Sequence, residues 1–325
     1  MEMILRKVGK SIFLKKKTKI LLVGTGRQAE IFLKVFFKNK IQIDTICSSK
    51  KSLHKAIFLQ KKYNIEYAEN NLTQVMKSKK FDFIFLLVTW DKIEPELLKI
   101  IKYSKANIFS EKPVATSLKS LNNLIKISKY HNKKIYVMYN RRFFETINII
   151  KKEVDKVKKF NFTITIPEQN KRIKKRYGNK MNGKLKYFIS SHWLDLINYI
   201  CGNLSVEKNF VGRSVSTLII KNNKCNGTIN FVFNAVDQIR LIFFLPRSTL
   251  ELNPLEKLYS IKNLVKRNNF YSINKKLEVD LSQEKLKPGI DRMIQSIFIK
   301  KNFKKILPKL SDLKNIYEIM EKLDH

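Results

Sequence analysis

Residues 19–30 read Lys-Ile-Leu-Leu-Val-Gly-Thr-Gly-Arg-Gln-Ala-Glu, a short aliphatic run that ends at two glycines. Four consecutive aliphatic residues are too few for a helix and predict a strand that is buried on both faces. The period of an amphipathic helix follows, in Ile31, Phe32, Val35 and Phe36. The stretch therefore predicts a strand, a tight turn and a helix.

The turn has the pattern G-x-G-x-x-A. In this pattern the first glycine permits a tight turn, the second lets a pyrophosphate approach the backbone, and the small third residue lets helix and strand pack closely. The helix N-terminus then faces the phosphates with unpaired N–H groups and a positive dipole end. A G-x-G between strand and helix also occurs as a plain tight turn. We interpret the turn as a dinucleotide site formed by Gly24, Thr25, Gly26, Arg27, Gln28 and Ala29.

Length and charge restrict the class of protein. With 325 residues, 44% of them apolar, the chain is long for one domain and sufficient for two. Its net charge of +39 would ordinarily indicate binding to nucleic acid or to an anionic membrane surface. Only 11 of the 66 basic residues are Arg, however, and the lysines are dispersed among many Asn, Ile and Phe residues, which A/T-rich codons specify. We favour genome composition as the cause, because a nucleic-acid footprint would be clustered and rich in Arg.

Cysteine usage and hydropathy bear on the compartment. Cys47, Cys201 and Cys225 lack C-x-x-C spacing, so we predict neither a metal site nor a disulfide framework, and a cytoplasmic location fits. The longest apolar run is far short of the ~20 residues that a bilayer requires, so no membrane span is predicted. Residues 1–18 lack the continuous apolar region of a signal peptide and form a basic lead-in or a peripheral surface contact.

Strand and helix patterns alternate after the glycine turn, which predicts an α/β Rossmann domain with a doubly wound parallel sheet. The predicted strands are 41–47, 81–88, 107–110 and 135–140. The predicted helices are 51–63, one from the N-cap Asn71 through 78, one with Pro95 in its first turn that ends near 103, and 117–131.

The character of the chain changes from about residue 145. A linking helix to about 159 and a strand at 160–166 precede a basic loop at 171–176 and a helix at 187–201. Further strands at 206–210, 216–220, 227–233, 238–245 and 277–281 predict an α+β domain with a largely antiparallel open sheet. Helices at 290–300 and 311–323, the latter capped by Ser311, close the chain. We predict a lead-in (1–18), a dinucleotide-binding domain (19–143) and a substrate and oligomerisation domain (144–325), whose last helices can pack back on the first domain.

The end of the second predicted strand bears on the choice of cofactor. An acid there normally binds the adenosine ribose hydroxyls, but this chain has Ser48, Ser49 and Lys50 after Cys47. Hydroxyl and ammonium groups would hydrogen-bond or pair with a ribose 2′-phosphate. We therefore predict NADP(H) in preference to NAD(H). In the alternative interpretation Lys50 and Lys51 are ordinary solvated side chains.

Two further motifs complete the first domain. Glu111-Lys112-Pro113 follows the strand at 107–110, and Tyr139-Asn140-Arg141-Arg142-Phe143 ends the strand at 135–140. Pro113 disfavours the α conformation at Lys112, and both motifs fall at the carboxyl edge of the sheet, where ligands bind in such folds.

With these motifs the chain resembles the Gfo/Idh/MocA family of sugar and polyol oxidoreductases, from Lys19 to Leu323. The resemblance implies that Lys112 binds substrate and handles a proton, and that Asn140 and Arg141 approach the substrate. It also implies that Glu111 and the loop of Thr89 and Trp90 line the nicotinamide side.

The second domain carries part of another motif of that family, D-x-G-x-H-x-x-D. Here it reads Phe188-Ile-Ser-Ser-His192-Trp-Leu-Asp195, which retains His192 and Asp195 but has Phe188 in place of the first Asp. The resemblance implies that His192 is a catalytic general base. We assign Asp195 to substrate binding; it could also orient His192 or its helix, or cap a neighbouring backbone group. A second departure is Glu94, where relatives commonly have a histidine.

These features predict an oxidoreductase that transfers hydride between a nicotinamide cofactor and a hydroxyl or carbonyl group of a sugar, polyol or nucleotide sugar. The basic loop at 171–176 could bind the diphosphate of a nucleotide sugar, which would suit a role in surface-polysaccharide synthesis. In the alternative interpretation it is a solvated loop. The alternative hypothesis, motivated by Phe188, is a catalytically lapsed dinucleotide-binding sensor or scaffold. We expect a homodimer or homotetramer formed through the open sheet.

Overall fold

The computed structural model describes residues 18–181, 183–267 and 270–323. The predicted lead-in, apart from Thr18, lies outside these residues. None of the helices in the described part of the chain combines the length and the apolar character that crossing a membrane requires.

The first sheet has six parallel strands in the order β3-β2-β1-β4-β5-β6. The strands are β1 Ile20–Val23, β2 Thr45–Cys47, β3 Tyr67–Glu69, β4 Phe83–Leu86, β5 Asn107–Ser110 and β6 Ile135–Val137. The helices that connect them are α1 Arg27–Lys38, α2 Leu53–Tyr63, α3 Leu72–Ser78, α4 Trp90–Tyr103 and α5 Leu118–Tyr130.

The aliphatic run of β1 explains why helices cover both faces of this sheet. Its alternate residues enter two different hydrophobic cores, Leu21 and Val23 in one and Ile20 and Leu22 in the other. All four side chains are buried. The strand order reverses at β1 and β4, which opens a crevice at the carboxyl ends of these strands.

The second sheet has eight strands in the order β14-β13-β12-β11-β7-β10-β9-β8, antiparallel except for the pair β7 and β10. The strands are β7 Phe160–Glu168, β8 Ser205–Val211, β9 Val215–Lys221, β10 Cys225–Phe233, β11 Arg240–Leu245, β12 Ser248–Leu252, β13 Lys257–Arg267 and β14 Phe270–Asp280. The predicted fold class, a Rossmann α/β unit followed by an α+β unit with a largely antiparallel sheet, is confirmed.

Helices cover one face of the second sheet and link the two units. They are α6 Glu145–Asp155, α7 Asn170–Tyr177, α8 Leu185–Phe188, α9 Ser190–Cys201, α10 Ile290–Phe298 and α11 Lys314–Glu321. Inward-facing residues of β7 share a core with α6 and α9, whereas Met293 and Ile294 of α10 pack with Phe32 and Phe36 of α1. The chain thus returns to the first sheet after completing the second. The predicted domain boundaries remain a prediction.

Several local expectations are wrong. The stretch 171–176 is part of the helix α7 rather than a loop, because Lys and Arg are good helix formers and their charged ends here point to solvent. Helix α4 begins at Trp90, so Pro95 lies inside it instead of in its first turn. The predicted helix 187–201 is interrupted at Ile189. The strands β3, β12 and β13 were not expected, and β3 exists through its pairing with β2.

The termini of two helices were predicted with different success. Asn71 caps α3, because its side chain accepts a hydrogen bond from the Gln74 backbone N–H at 3.1 Å. Ser311 does not cap the last helix. A 3-10 turn at Leu310–Leu313 precedes α11, and the Asp312 carboxylate accepts a hydrogen bond from the Lys309 backbone N–H at 2.9 Å.

Candidate active site

A cleft of about 990 Å³ lies where the carboxyl edge of the first sheet meets the N-terminal end of α9. Strand ends of the first sheet form one wall, and Phe188 and His192 contribute to the other. The cleft brings together most of the residues predicted for a site. Those that line it are Gly24, Thr25, Gly26, Arg27, Gln28, Ser48, Ser49, Lys50, Thr89, Trp90, Glu111, Lys112, Asn140 and His192.

The glycine turn forms the floor of the cleft between β1 and α1. Gly24 has a φ of +117°, and a Cβ atom built there would lie 2.3 Å from the Leu87 carbonyl oxygen. A Cβ atom at Gly26 would meet nothing within 4 Å. Ala29 is fully buried in the core beneath the helix and does not line the cleft. The turn therefore leaves open space in front of the N-terminus of α1.

The end of β2 forms a polar pocket at one side of the cleft. The Ser48 hydroxyl donates to the Ser49 carbonyl at 3.0 Å, and the Ser49 hydroxyl lies 3.4 Å from that of Ser52. Lys50 and Lys55 contribute ammonium groups to the same lining. The acidic residues among the described residues that line the cleft are Glu96 and Glu111, and neither follows β2.

Glu111 and Lys112 lie at the centre of the cleft, directly after β5. The Glu111 carboxylate accepts a hydrogen bond from the Gln28 amide at 3.0 Å and another from the Lys112 backbone N–H at 3.2 Å. The Lys112 ammonium donates to the Phe188 carbonyl of the opposite wall. These contacts join the glycine turn, the first sheet and the second unit.

The cleft changes the ionisation of its central groups. Burial, reinforced by the positive charge of Arg141, lowers the pKa of Lys112 to about 7, against the opposing effect of Glu111. Burial raises the pKa of Glu111, although Lys287 and Lys112 act in the other direction. Lys112 can therefore exchange a proton near neutral pH.

His192 lies on α9, within the same cleft. Its ring meets the edge of the Tyr139 ring at a centroid distance of 5.7 Å. Its Nδ1 atom is buried and has no hydrogen-bond partner among the described residues. Burial, together with the positive charges of Lys112 and Arg141, holds the pKa of His192 well below its usual value. The imidazole is therefore neutral at physiological pH.

Of the three residues predicted to bind substrate, Asn140 alone lines the cleft. Both Asp195 carboxylate oxygens accept hydrogen bonds from Arg142, at 2.9 Å and 2.7 Å. Asp195 is only 1% exposed, and its side chain forms this ion pair instead of lining the cleft. The Arg141 guanidinium lies 3.6 Å from the centre of the Trp193 ring.

Aromatic side chains form the wall around Phe188. The Phe188 ring lies 5.2 Å from that of Trp90 and 5.9 Å from that of Tyr177, as measured between centroids. The Lys112 ammonium lies 5.8 Å from the centre of the Phe188 ring. The position of the missing acid is thus apolar. Glu94 faces α5, where it accepts a hydrogen bond from the Ser120 hydroxyl.

Sequence reasoning missed Arg142, Tyr177 and Lys287. Arg142 lies within the Tyr139–Phe143 run, in which the sequence predicts roles for Asn140 and Arg141. Its buried pair with Asp195 depends on tertiary structure. Tyr177 directly follows the basic stretch 171–176, for which the sequence predicts a loop. No local pattern marks Lys287, which lines the cleft from the segment before α10.

Residues 18–139 match the family model GFO_IDH_MocA, described as an oxidoreductase family with an NAD-binding Rossmann fold. This segment belongs to the Gfo/Idh/MocA family. The Gfo/Idh/MocA match covers the glycine turn, the Glu111-Lys112-Pro113 motif and the strands of the first sheet. No curated protein matches the chain in sequence.

Solved structures share the fold of both units. The WlbA dehydrogenase from Chromobacterium violaceum, in complex with NADH and UDP-GlcNAcA, is 13% identical with a TM-score of 0.70, covering 94% of this chain and 93% of that one. Levoglucosan dehydrogenase in complex with NADH and L-sorbose is 12% identical with a TM-score of 0.74, over 94% and 95%. A super-repressor mutant of Gal80p from Saccharomyces cerevisiae is 14% identical with a TM-score of 0.74, over 94% of each chain. At these identities the likeness establishes a shared fold.

Proposed function

We propose that the protein is an NADP(H)-linked dehydrogenase or reductase that acts on a hydroxyl or carbonyl group of a sugar-like substrate. One observation carries the proposal. The open space at the glycine turn, the Lys112 ammonium and the His192 imidazole share a single cleft of about 990 Å³. A dinucleotide and a small substrate fit within a cleft of this size.

The residues of the turn suit a dinucleotide. The position of the missing Cβ of Gly26 is open, and the first N–H groups of α1 point outward without intrahelical acceptors. Ser48, Ser49 and Lys50 supply donors for a ribose 2′-phosphate, which supports NADP(H) over NAD(H). When bound, the cofactor would supply or accept the hydride.

Lys112 would transfer the proton, and His192 would position the substrate oxygen. In oxidation, the neutral amine of Lys112 takes the hydroxyl proton, and in reduction its ammonium form returns a proton to the oxygen. His192 lines the cleft, and its neutral imidazole is available to hold the substrate oxygen in place through a hydrogen bond. The bond from Lys112 to the Phe188 carbonyl fixes the direction of the ammonium.

The outer wall of the cleft supports a nucleotide sugar as the substrate. The cluster of Trp90, Tyr177 and Phe188 offers flat apolar surfaces to a base or a sugar ring. The Lys184 ammonium lies 5.3 Å from the centre of the Trp90 ring, so it can contribute positive charge beside that wall. The exposed basic side chains of α7, which precede Tyr177, suit a diphosphate. The likeness to a dehydrogenase structure that contains UDP-GlcNAcA supports the same class.

Turnover of a substrate panel tests the proposal directly. The purified protein would be titrated with NADPH and NADH, and its reactions with free sugars, polyols, nucleoside diphosphate sugars and their keto forms followed at 340 nm. We expect tighter binding of NADPH and turnover of at least one nucleoside diphosphate sugar. A lower KM for NADH than for NADPH would contradict the cofactor preference. Absence of dinucleotide binding would contradict the function as a whole.

A second candidate function is a dinucleotide-binding sensor without turnover. Phe188 favours it, because the loss of one member of a set that handles protons can cost several powers of ten in rate. The likeness to the super-repressor mutant of Gal80p is compatible with this role. Tight NADPH binding with no oxidation across the panel would select it over the dehydrogenase.

We also propose that the enzyme is cytoplasmic and acts as a homodimer or homotetramer. The face of the second sheet opposite α9 exposes Ile219 and Phe244, and a second copy would cover them. Light scattering after size exclusion gives the mass directly. A monomer at micromolar concentration would contradict this assembly.

A further inference from the structure

The segment between β14 and α10 crosses from the second unit to the edge of the cleft. Gly289 has a φ of +79°, and a Cβ atom there would lie 2.3 Å from the Asn140 carbonyl oxygen and 2.9 Å from the Phe144 ring. The Asn140 side-chain amide donates to the Pro288 carbonyl at 2.9 Å. The backbone of this segment is therefore fixed against the end of β6 by close packing and by a hydrogen bond.

This attachment places Lys287 on the cleft wall, where the residue is exposed to solvent. Its positive charge acts on Glu111, Lys112 and His192. The Glu111 carboxylate attracts it, and the positive charges of Arg141 and of Arg27, in the glycine turn, repel it. Lys287 therefore shares the cleft with the glycine turn, although it lies on the segment that follows the second sheet.

Glu111 offsets only part of the positive charge of this region, because basic residues outnumber acidic ones in the lining of the cleft. Neither Lys287 nor Arg27 takes part in any of the ion pairs between residues that the structure describes. Glu111 is half-buried and already accepts hydrogen bonds from Gln28 and from the Lys112 backbone. Like charges that converge on an open space favour an anion between them.

We propose that Lys287 binds the diphosphate of a dinucleotide held at the Gly24–Ala29 turn and so joins the second unit to the cofactor. This inference rests on the proposed function, because it requires that the turn binds a dinucleotide. The N-terminus of α1 and Arg27 contact the diphosphate from one side, and the Lys287 ammonium contacts it from the other. Lys287 would then be a cofactor-binding residue that the first domain alone does not supply.

Binding measurements on the whole chain test the inference. NADPH would be titrated by fluorescence into the wild type, Lys287→Met, Lys287→Arg and the control Lys285→Met, whose exposed side chain does not line the cleft. We expect Lys287→Met to raise the Kd about tenfold, equivalent to about 1.4 kcal/mol. We expect a smaller dependence of its Kd on salt, because one phosphate contact is lost. Lys287→Arg should restore most of the affinity, and Lys285→Met should match the wild type.

The remaining outcomes separate the inference from the function on which it rests. NADPH binding by the wild type, with an unchanged Kd in Lys287→Met, would overturn the role of Lys287 and leave the proposed function standing. An unchanged Kd with a raised KM for a nucleoside diphosphate sugar would assign the ammonium to the substrate instead, and so also overturn the inference. No binding of NADPH or NADH by the wild type would overturn both. Thermal denaturation of each variant verifies that it is folded.

Discussion

Lys112 combines a central position in the cleft with a pKa of about 7, which burial and Arg141 cause. As a general base it must be neutral, so we expect the rate of substrate oxidation to rise as the pH increases through 7. As a general acid it must be charged, so reduction should become slower over the same interval. Lys112→Met should lower kcat by about 10²- to 10⁴-fold, the usual contribution of a positioned acid or base.

The matched measurements are the pH profile of kcat in both directions and the Kd of NADPH. Lys112→Met should leave the Kd within a small factor of the wild type, since the proposed cofactor contacts are made by other residues. A profile that keeps its inflection near pH 7 in Lys112→Met would show that another group titrates, which would contradict the role of Lys112.

Lys50 and Lys51 are adjacent but differently placed, which gives a controlled test of cofactor preference. Lys50 lines the cleft beside Ser49, whereas Lys51 is exposed and does not line it. Lys50→Glu puts a carboxylate near the proposed 2′-phosphate, so we expect the Kd for NADPH to rise about tenfold or more and the Kd for NADH to change little. Lys51→Glu has the same change of charge and should alter both much less. Equal effects of the two substitutions would indicate only long-range electrostatics and would contradict the predicted 2′-phosphate site.

Glu168 lies outside the proposed chemistry but should influence stability. Its side chain is fully buried at the end of β7, where burial raises its pKa from 4.5 to about 7, although the Ser190 hydroxyl donates to it. A carboxyl whose pKa is higher in the folded chain binds more protons when folded, so its contribution is present below pH 4.5 and is lost as the pH rises through 7. We expect this loss to be about 3 kcal/mol in the free energy of unfolding.

Chemical denaturation at pH 5 and pH 8.5 measures this effect. Glu168→Gln remains neutral at both values, so its free energy of unfolding should change less between them than that of the wild type. Asp237→Asn, at an exposed position, should behave as the wild type does. An unchanged pH dependence in Glu168→Gln would contradict the raised pKa.

At the scale of elements, the two glycines of the first turn should have separable effects. Gly24→Ala would force a Cβ atom to within 2.3 Å of the Leu87 carbonyl at a φ of +117°. We therefore expect it to lower the free energy of unfolding by about 2–4 kcal/mol. Gly26→Ala places its Cβ atom in open space, at a φ of −83° that alanine adopts readily, so the stability should stay close to that of the wild type.

Cofactor affinity, unlike stability, should depend strongly on the residue at position 26. The open space at Gly26 is where the pyrophosphate would approach the backbone, so Gly26→Ala should lose most NADPH binding while its Tm is retained. A Gly26→Ala protein that binds NADPH as the wild type does would contradict the location of the phosphate site.

The same elements show what sequence alone could determine. Ile20–Val23 was recognisable as a doubly buried strand, because alternation between two cores requires four aliphatic residues in succession. The strand at Asn107–Ser110 was predicted with the correct ends. The three residues of β3 carry no such pattern, and their strand depends on pairing with β2.

The candidate site likewise contains residues that sequence motifs identify and others that only the three-dimensional structure identifies. Gly24, Lys112 and His192 could be found from local motifs, and the structure brings all three into one cleft. Lys287 could not, because what places it there is the packing of Gly289 and Pro288 against Asn140, far away in the sequence. Asp195 was assigned to the substrate on motif position, whereas its partner Arg142 is identified only by the three-dimensional contact.

At the scale of the whole molecule, the Arg142–Asp195 pair ties together three segments of the chain. Arg142 follows the first sheet, Asp195 lies on α9 of the second unit, and a further N–H of Arg142 donates to the Ile306 carbonyl at 2.8 Å. Removal of one member of a buried pair leaves an uncompensated charge. We therefore expect Asp195→Ala to lower the free energy of unfolding by about 3–5 kcal/mol.

The double variant Arg142→Leu/Asp195→Leu separates the structural role from a role in substrate binding. It removes both members of the pair together, so we expect it to recover much of the stability that Asp195→Ala loses. If Asp195 serves only this pair, the folded double variant should keep the substrate KM of the wild type, because neither side chain lines the cleft. A large rise in KM in the stable double variant would show instead that Asp195 supports the substrate, as its place in the motif suggested. The pair would then link the junction of the two units to catalysis as well as to folding.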